Sequence, residues 1–454
     1  MGFVETLEKL VKSKPSRKLV AWGTEKIATE MVYHYPWILA SISFFISYDA
    51  GIKMSFYEKP VLNKDTIPLH PDDYVIIVLA HKKHKTIRDF LQSKNFMKNI
   101  DYIEYTDYPC SEFFPSNMGS TVAFWDSVNY ANHDKFVTRQ DFPKNDNTGN
   151  CVHFKALRES IFADSVDLFY QDITILESYD TIISPQFICI SQNTNLHRYW
   201  EIVQAIKIPI VPISIGLVHT EKITNFSLSE EAIAIFRYIS DNCNVIGVRG
   251  EYTAEILAQY GIKNTQIIGC PSLYYPYLRQ GFSPVSKNDT SLKTIVNSAL
   301  NGTFPNEAEW FQYISSLNLP FVEQYTNADI WLERLGENYK YHEYLTNNSN
   351  MFYSIAQLES HVRNFNFSIG MRFHGNIVPL WNNIPALFLT HDTRTTEMVE
   401  FFKLPHINIK DFDSSKPLEH YYELADYTEF NKIMPKHLQE YKNFLSINGI
   451  SLAN

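Results

Sequence analysis

The chain has 454 residues, with 40 Lys and Arg against 50 Asp and Glu and a formal net charge of −10 at pH 7. This length exceeds one ordinary hydrophobic core and predicts two or three domains. The acidic balance, without a concentrated basic stripe, argues against nucleic acid as a partner. Aromatic residues make up 15% of the chain, which a Tyr- and Phe-rich core explains better than sugar-stacking surfaces do.

The cysteine pattern and the start of the chain bear on its compartment. The five cysteines are scattered singly, without a CxxC pair or a metal-ligand spacing. This predicts reduced thiols, a cytoplasmic protein and no metal site. The opening MGFVETLEKLVKSKPSRK lacks the apolar core of a signal peptide. The apolar stretch from Met31 to Tyr48 is interrupted by His34 and Pro36, so it is a poor membrane span.

The first predicted block, residues 1–110, alternates strands and helices. KLVAW at 18–22 predicts a strand, followed by a turn at Gly23 and a helix. Further strands are predicted at 41–49 and 73–80, and this alternation is typical of a Rossmann-like domain. A dinucleotide fingerprint needs three glycines, and WGTEKIA supplies one. An accessory domain without a bound nucleotide is therefore favoured over a nucleotide-binding one.

Two further βα arrays are predicted after a polar linker that ends near residue 150. The first, within residues 111–282, contains the β-rich runs DTIISPQFICIS, IPIVPISIGL, NVIGVRG and TQIIGC. After a hinge at 283–293, residues 283–454 contain the predicted strands TIVNSAL, LPFVEQY, FSIGM and ALFLT, with a helix over MFYSIAQLESHVRNF. Two such arrays joined by a hinge predict two Rossmann-like halves that face a cleft.

Arg249 follows the predicted strand VIGV and precedes a helix that begins at Glu251 or Tyr252. It is therefore expected at the carboxyl end of a parallel strand, where open α/β sheets bind ligands. The N–H groups of the following helix favour anions at the same place. A guanidinium there can bind phosphate or carboxylate. The alternative, an ion pair with Glu251 that closes the turn, fits the position equally well.

Arg372 and His374 lie at another predicted strand-to-helix turn, in the segment SIGMRFHG. In extended backbone, two residues separated by one other project to the same side. The helix is expected from about Gly375, with Pro379 at a kink or early turn. Histidine is the side chain best suited to proton transfer near neutral pH. The pair is therefore favoured as functional over structural.

Other strand ends supply further cleft candidates. Asp392 precedes a predicted helix through Met398, and a helix N-cap is its favoured role. Arg394 could add a second cation to an anion site. The remaining candidates, all placed after predicted strands, are His219, Ser272 and His391.

The segments GVRGEYTAEILAQYG…IIGCPSL and SIGMRFHGNIVPLWNNIPALFLT together resemble the polysaccharide pyruvyl transferase family. The resemblance covers about residues 145–410 and leaves roughly the first 110 residues outside. It implies a GT-B-like pair of Rossmann-like halves, preceded here by the small Rossmann-like domain. It also implies that Arg249 and Arg372 bind the donor, phosphoenolpyruvate, and that His374 is catalytic. TGNCVHFKALRESIF resembles a segment that often carries GNxGD in the family, although Gly-Asp is absent after Asn150.

The resemblance implies a transferase that places a pyruvate ketal on a sugar of a capsular or exopolysaccharide. The acceptor would be a lipid-linked sugar or another glycan precursor, and no cofactor beyond the donor substrate is expected. With a lipid-linked acceptor the protein would visit the inner face of the membrane peripherally. Two alternatives stay open: a GT-B glycosyltransferase that uses a nucleotide sugar, and a non-catalytic sugar-binding subunit of polysaccharide assembly. The acceptor sugar and the oligomeric state stay open as well.

Overall fold

A computed structural model describes residues 2–24, 28, 31, 35–47, 55–80, 83–108, 120–126, 147–169, 173, 176, 179–287, 291–298, 306–324 and 340–453. The chain divides into two compact units. One consists of Met1–Thr121 and Asp164–Ser178, and the other of Val122–Ala163 and Tyr179–Asn454. The predicted border at residue 110 and most of the predicted linker lie outside the described residues. The predicted domain borders therefore stay a prediction.

The first unit is an α/β module. Its helices are α1 (Phe3–Ser13), α2 (Pro36–Ser41) and α3 (His84–Ser93). Its first six strands are β1 (Lys18–Trp22), β2 (Ile42–Ser47), β3 (Ser55–Phe56), β4 (Lys59–Asn63), β5 (Tyr74–Val78) and β6 (Tyr102–Glu104). They form a sheet of order β3-β4-β2-β1-β5-β6, parallel except for β3 against β4. The prediction of a Rossmann-like N-terminal module is confirmed.

The strand sequences explain why this sheet is covered on both faces. Successive side chains of a strand point to opposite faces. In β1, Leu19 and Ala21 join one buried apolar cluster, while Val20 and Trp22 join another. Both faces are apolar because the strand is buried between two layers, as is typical of parallel sheets.

The second unit opens with a parallel sheet, the first Rossmann-like half. Its strands are β7 (Val122–Trp125), β9 (Thr181–Ser184), β10 (Ile210–Pro212), β11 (Ile246–Val248) and β12 (Thr265–Ile267), whereas β8 (Asp164–Val166) is grouped with the first unit. Pairing runs β7-β9-β10, then through an Ile215–Val248 bridge to β11 and β12. The helices are α4 (Gly149–Ser160), α5 (His197–Val203), α6 (Glu230–Asn242), α7 (Glu251–Gln259) and α8 (Tyr275–Gln280).

The second half has a six-stranded parallel sheet of order β15-β14-β13-β16-β17-β18. The strands are β13 (Thr294–Asn297), β14 (Phe321–Glu323), β15 (Ser349–Met351), β16 (Phe367–Gly370), β17 (Ala386–Thr390) and β18 (His406–Asn408). The helices are α9 (Glu307–Ser316), α10 (His342–Asn348), α11 (Ile355–Val362), α12 (Phe373–Trp381), α13 (Thr393–Phe402), α14 (Leu418–Leu424) and α15 (Thr428–Ile447). Chain order reverses between β13 and β16, and such a switch point opens a crevice at the carboxyl ends of the strands.

The C-terminal helix α15 returns to the first half of the second unit. Gln266 in β12 donates a hydrogen bond to the main-chain oxygen of Glu440, and Asn448 is hydrogen-bonded to both main-chain groups of Val245. One apolar core accordingly contains residues of both halves, from Phe124 in β7 to Ile369 in β16. The halves are therefore packed together, which confirms the predicted pair of Rossmann-like halves with a GT-B-like arrangement.

One local prediction was wrong. A helix was expected over the whole of MFYSIAQLESHVRNF, but Met351 ends the edge strand β15 and the helix begins at Ile355. Residues Ser349–Met351 pair with Phe321–Glu323 of β14, and these long-range hydrogen bonds override the local helical pattern. Among the described residues, no helix is both long and apolar enough to cross a membrane.

Candidate functional site

A cavity in the second unit lies where the strands of its two sheets end. Its lining draws on both halves and is made of Asn147, Asn150, Ile188, Arg249, Gln324, Met371, Arg372, Phe373, His374, His391, Arg394 and Met398. The sheets thus bring five of the sequence-predicted candidates together. The N-terminal end of α4 closes one side, because Thr148 donates its N–H to the main-chain oxygen of Gln324 at 2.8 Å.

Arg249 directly follows β11 and is 1% exposed. Its Nε donates to the main-chain oxygen and to Oγ of Ser214, at 3.2 and 3.1 Å. Among the described residues, no carboxylate lies within ion-pair distance of its guanidinium and its Nη2 has no hydrogen-bond partner. The alternative ion pair with Glu251 is therefore not formed. Burial lowers the pKa of Arg249 to about 10, so the group is still a cation at neutral pH.

Arg372 is held differently. It is the N-cap of α12 and its Nη2 lies 3.0 Å from Oε1 of Glu323, the last residue of β14. The Glu323 side chain is only 4% exposed, against 18% for Arg372. A buried carboxylate thus orients this guanidinium and cancels its charge in the free protein. Sequence reasoning missed Glu323, because nothing local links it to a residue 49 positions away.

The position of Arg372 is determined by close packing between two main-chain segments. Gly370 has φ +153°, and a Cβ built there would lie 2.0 Å from the main-chain oxygen of Asn297 at the end of β13. The same oxygen accepts the Arg372 N–H at 3.0 Å. Only glycine permits this approach without displacing β13. The turn of β16 into α12 is therefore anchored on the neighbouring strand.

His374 lies in the first turn of α12, which begins at Phe373 rather than Gly375. The expectation of an extended Arg372–His374 pair was wrong, since the residue between them is already helical. Nevertheless both side chains line the cavity. Burial, together with the nearby His153 and Arg249, holds the pKa of His374 well below its usual range. The imidazole is therefore neutral at pH 7 and can accept a proton.

The start of α13 carries three more of the predicted residues. Asp392 is the N-cap, and its Oδ1 accepts the Thr395 N–H at 2.6 Å in a capping box. Its Oδ2 lies 3.4 Å from Nη2 of Arg394 and 3.5 Å from Nε2 of His391. Asp392 thus combines the predicted capping role with orientation of two residues that line the cavity.

The profile of the family described as "Polysaccharide pyruvyl transferase" matches residues 65–393. The chain belongs to the polysaccharide pyruvyl transferase family. The match begins at residue 65, within the N-terminal module, so the expectation that roughly the first 110 residues lie outside the family likeness holds for residues 1–64 and was wrong for residues 65–110. Family membership makes the chain a transferase of polysaccharide biosynthesis. No curated protein sequence matches it.

Solved structures that resemble this pyruvyl transferase family member span nearly its whole length at low similarity. The S. aureus MnaA–UDP co-structure has 12% identity, covers 94% of this chain and 97% of its own, and gives a TM-score of 0.34. The UDP-GlcNAc 2-epimerase of Methanocaldococcus jannaschii, in complex with UDP-GlcNAc and UDP, has 10% identity, 90% and 93% coverage and a TM-score of 0.34. The glycotransferase of kitacinnamycin has 10% identity, 93% coverage of each chain and a TM-score of 0.27. At these scores the likenesses carry no argument about function.

Besides Asp392, two predicted candidates lie outside the cavity lining. His219 bonds through its Nδ1 to the main chain of Glu221, and its main chain pairs with Thr393. Ser272 is fully buried, and its Oγ lies 3.0 Å from Sγ of Cys270. His219 therefore helps join the two halves, and Ser272 belongs to a cluster around Cys270.

That cluster is the second feature that sequence reasoning missed. One ligand atom each of His153, Cys270 and His374 lies within 4.8 Å of the others. The three residues are more than 100 positions apart, so no motif spacing marked them, and the expectation that the chain has no metal site stays a prediction. Burial raises the pKa of the Cys270 thiol, against the lowering effect of Arg249.

Glu397 closes the N-terminal end of α7 from the other half. Its carboxylate accepts the Thr253 N–H at 3.0 Å and the Thr253 hydroxyl at 2.6 Å. A Cβ on Gly250 would lie 2.5 Å from Cβ of Glu397, so a glycine is needed beside this carboxylate. Burial raises the pKa of Glu397 to about 7. Sequence reasoning missed this residue, which interacts across 144 positions.

Proposed function

We propose that this family member transfers the pyruvyl group of phosphoenolpyruvate to two hydroxyls of one sugar and closes a ketal. The observation that carries the proposal is Arg249, a buried cation without a carboxylate partner among the described residues, which lines the same cavity as a neutral imidazole. Burying an uncompensated charge costs several kcal/mol. An anionic substrate in the cavity would offset that cost.

The donor chemistry fits the charges of the cavity. Phosphoenolpyruvate carries a phosphate and a carboxylate, and guanidinium groups bind both through paired hydrogen bonds. Three arginines line the cavity, of which Arg372 and Arg394 each face one carboxylate within 3.4 Å. Arg249 is then the strongest candidate for the phosphate. Arg372 and Arg394 remain oriented to hold the donor carboxylate.

His374 is proposed as the group that moves protons. In the free protein its imidazole is neutral, so it first accepts the proton of the attacking sugar hydroxyl. The hydroxyl oxygen bonds to C2 of phosphoenolpyruvate, and the proton passes from the imidazole to the methylene carbon. The negative charge of the donor would raise the imidazole pKa and favour this relay. The C2–O bond to phosphate then breaks, the second hydroxyl oxygen bonds to C2 and closes the ketal, and its proton leaves on the released phosphate.

The acceptor is proposed to be a sugar of a capsular or exopolysaccharide precursor, including lipid-linked forms reached at the inner face of the membrane. The test is incubation of the full chain with phosphoenolpyruvate and a panel of such sugars. Ketal formation adds the pyruvate mass to the acceptor, with loss of water, and releases one phosphate. The two readouts should appear together by mass spectrometry and phosphate assay.

Two controls separate this proposal from the alternatives. Thermal stabilisation by phosphoenolpyruvate is compared with stabilisation by a panel of sugar nucleotides. Selective stabilisation by a sugar nucleotide would replace pyruvyl transfer by glycosyl transfer. Sugar binding without any turnover over the whole panel would favour a non-catalytic subunit of polysaccharide assembly.

A further inference from the structure

A cluster of two imidazoles and one thiol in the second unit has the composition of a metal centre. His153 is on α4, Cys270 follows β12, and His374 is in the first turn of α12. Sγ of Cys270 lies 3.5 Å from Nδ1 of His153 and 3.4 Å from Nε2 of His374. His153 and Cys270 are fully buried, while His374 reaches the cavity.

The distances match those of a tetrahedral metal site. Zinc bonds to sulfur at about 2.3 Å and to imidazole nitrogen at about 2.0–2.1 Å, so a tetrahedral sulfur-to-nitrogen edge is about 3.5 Å. Both measured edges agree with this length. Thiolate and imidazole ligands select zinc and other thiophilic ions over magnesium and calcium. We propose that His153, Cys270 and His374 bind a Zn²⁺ ion, with water in a fourth position.

Hydrogen bonding accounts less well for the cluster. A thiol has one hydrogen and is a weak donor and a weak acceptor, yet three polar atoms surround this sulfur, including Oγ of Ser272 at 3.0 Å. His153 Nε2 has no hydrogen-bond partner within the part of the chain that the structure describes. The buried His153 imidazole has given up its hydrogen bonds to water, and its contact with the Cys270 thiol is a weak replacement for them. A metal bond at Nδ1 would offset that loss.

Neighbouring charges set how tightly an ion is held. Arg249 and Arg394 lie close enough to lower the pKa of His374, and their charge opposes a cation. The Cys270 thiolate would cancel one unit of the zinc charge, and Asp392 offsets Arg394 at 3.4 Å. With three protein ligands and this opposing charge, we expect weaker binding than in a closed four-ligand structural site. Nε2 of His374 would be one of the ligands, so the ion-bound chain cannot use that imidazole for the proposed proton relay, and pyruvyl transfer is expected from the metal-free chain.

The test uses the full chain, stripped with a chelator and dialysed against Zn²⁺ or Co²⁺. Elemental analysis should find one ion per chain, and the Co²⁺ form should show the absorption of a thiolate-to-cobalt bond. Cys270→Ser and His153→Gln should lose the bound ion. Cys243→Ser and His197→Gln are matched controls, because both residues lie outside the cluster, and they should keep it.

Absence of stoichiometric metal in the wild-type chain would overturn the proposal, as would wild-type binding by folded Cys270→Ser. Circular dichroism checks that each variant folds. Should Cys270→Ser not fold, the Co²⁺ spectrum of the wild-type chain decides, since a bound ion without the thiolate band also overturns the site. Pyruvyl transfer from phosphoenolpyruvate is measured on the metal-free chain. Failure of pyruvyl transfer and failure of metal binding are therefore read separately.

Discussion

Removing Arg372 should damage stability as well as donor binding, because its partner Glu323 is buried. The pair is 3.0 Å apart, with only 4% of the Glu323 side chain exposed. Arg372→Ala removes the guanidinium 3.0 Å from that carboxylate, and breaking a buried pair in this way costs about 3–5 kcal/mol. For 454 residues the entropy of unfolding is about 0.95 kcal/mol/K, so the melting temperature should fall by about 3–5 °C.

The double variant Arg372→Ala/Glu323→Gln separates the two effects. Its amide carries no charge, so most of the lost stability should return. Donor affinity should stay reduced more than tenfold, since a charge-assisted hydrogen bond contributes about 1.5–3 kcal/mol. Stability is followed by differential scanning calorimetry, and phosphoenolpyruvate affinity by isothermal titration calorimetry.

Arg363→Ala is the matched control, since Arg363 is exposed and bonds to Asn382 rather than to a carboxylate. Arg363→Ala should change neither the melting temperature nor the affinity for phosphoenolpyruvate. An Arg372→Ala variant as stable as the wild type would refute the argument from the buried pair. Wild-type donor affinity in the double variant would show that Arg372 does not hold the donor.

Three further predictions concern the same cavity. Arg249→Ala should weaken phosphoenolpyruvate binding more than tenfold, as measured by calorimetry. Arg249→Lys should recover only part of the lost affinity, because an ammonium group cannot make the bidentate contact. Equal affinity of the wild type and Arg249→Ala would contradict the donor site. His374→Gln should lose about 10²–10⁴ in turnover yet still bind the donor. The wild-type kcat/KM should fall only below pH 6.5, because the pKa of His374 is depressed and the imidazole is no longer a base once it is protonated. An active but less stable His374→Gln variant would make His374 a structural residue. The pKa of Glu397 is raised from 4.5 to about 7, so its protonated form stabilises the fold at low pH, and up to about 3 kcal/mol is lost as pH rises from about 4.5 to above 7. The melting temperature of Glu397→Gln should therefore gain on the wild type between about pH 4.5 and 8. Parallel curves would show that Glu397 is not protonated in the folded protein.

Local sequence patterns were sufficient to predict the α/β class and many of the strands. KLVAW and ALFLT are short, mainly apolar runs that become β1 and β17, because a strand buried on both faces needs a nearly continuous run of apolar residues. The turn at Arg249 was also predictable, since a strand that is followed closely by a helix leaves only Arg249 and Gly250 between them. Arg372 and His374 were found by this rule, although α12 begins earlier than expected.

The partners of those residues were decided only by the tertiary structure. Glu323 neutralises Arg372 across 49 positions, and Cys270 meets His374 across 104. Parallel strands place residues distant in the chain at the same sheet edge, and packing of two such edges determines which side chains meet. These contacts between side chains, together with burial, determine which charges are compensated and which pKa values are shifted. The sequence therefore indicated which residues lie at the strand ends. Only the fold determined that Arg249 is a cation without a carboxylate partner among the described residues, and that His374 is neutral.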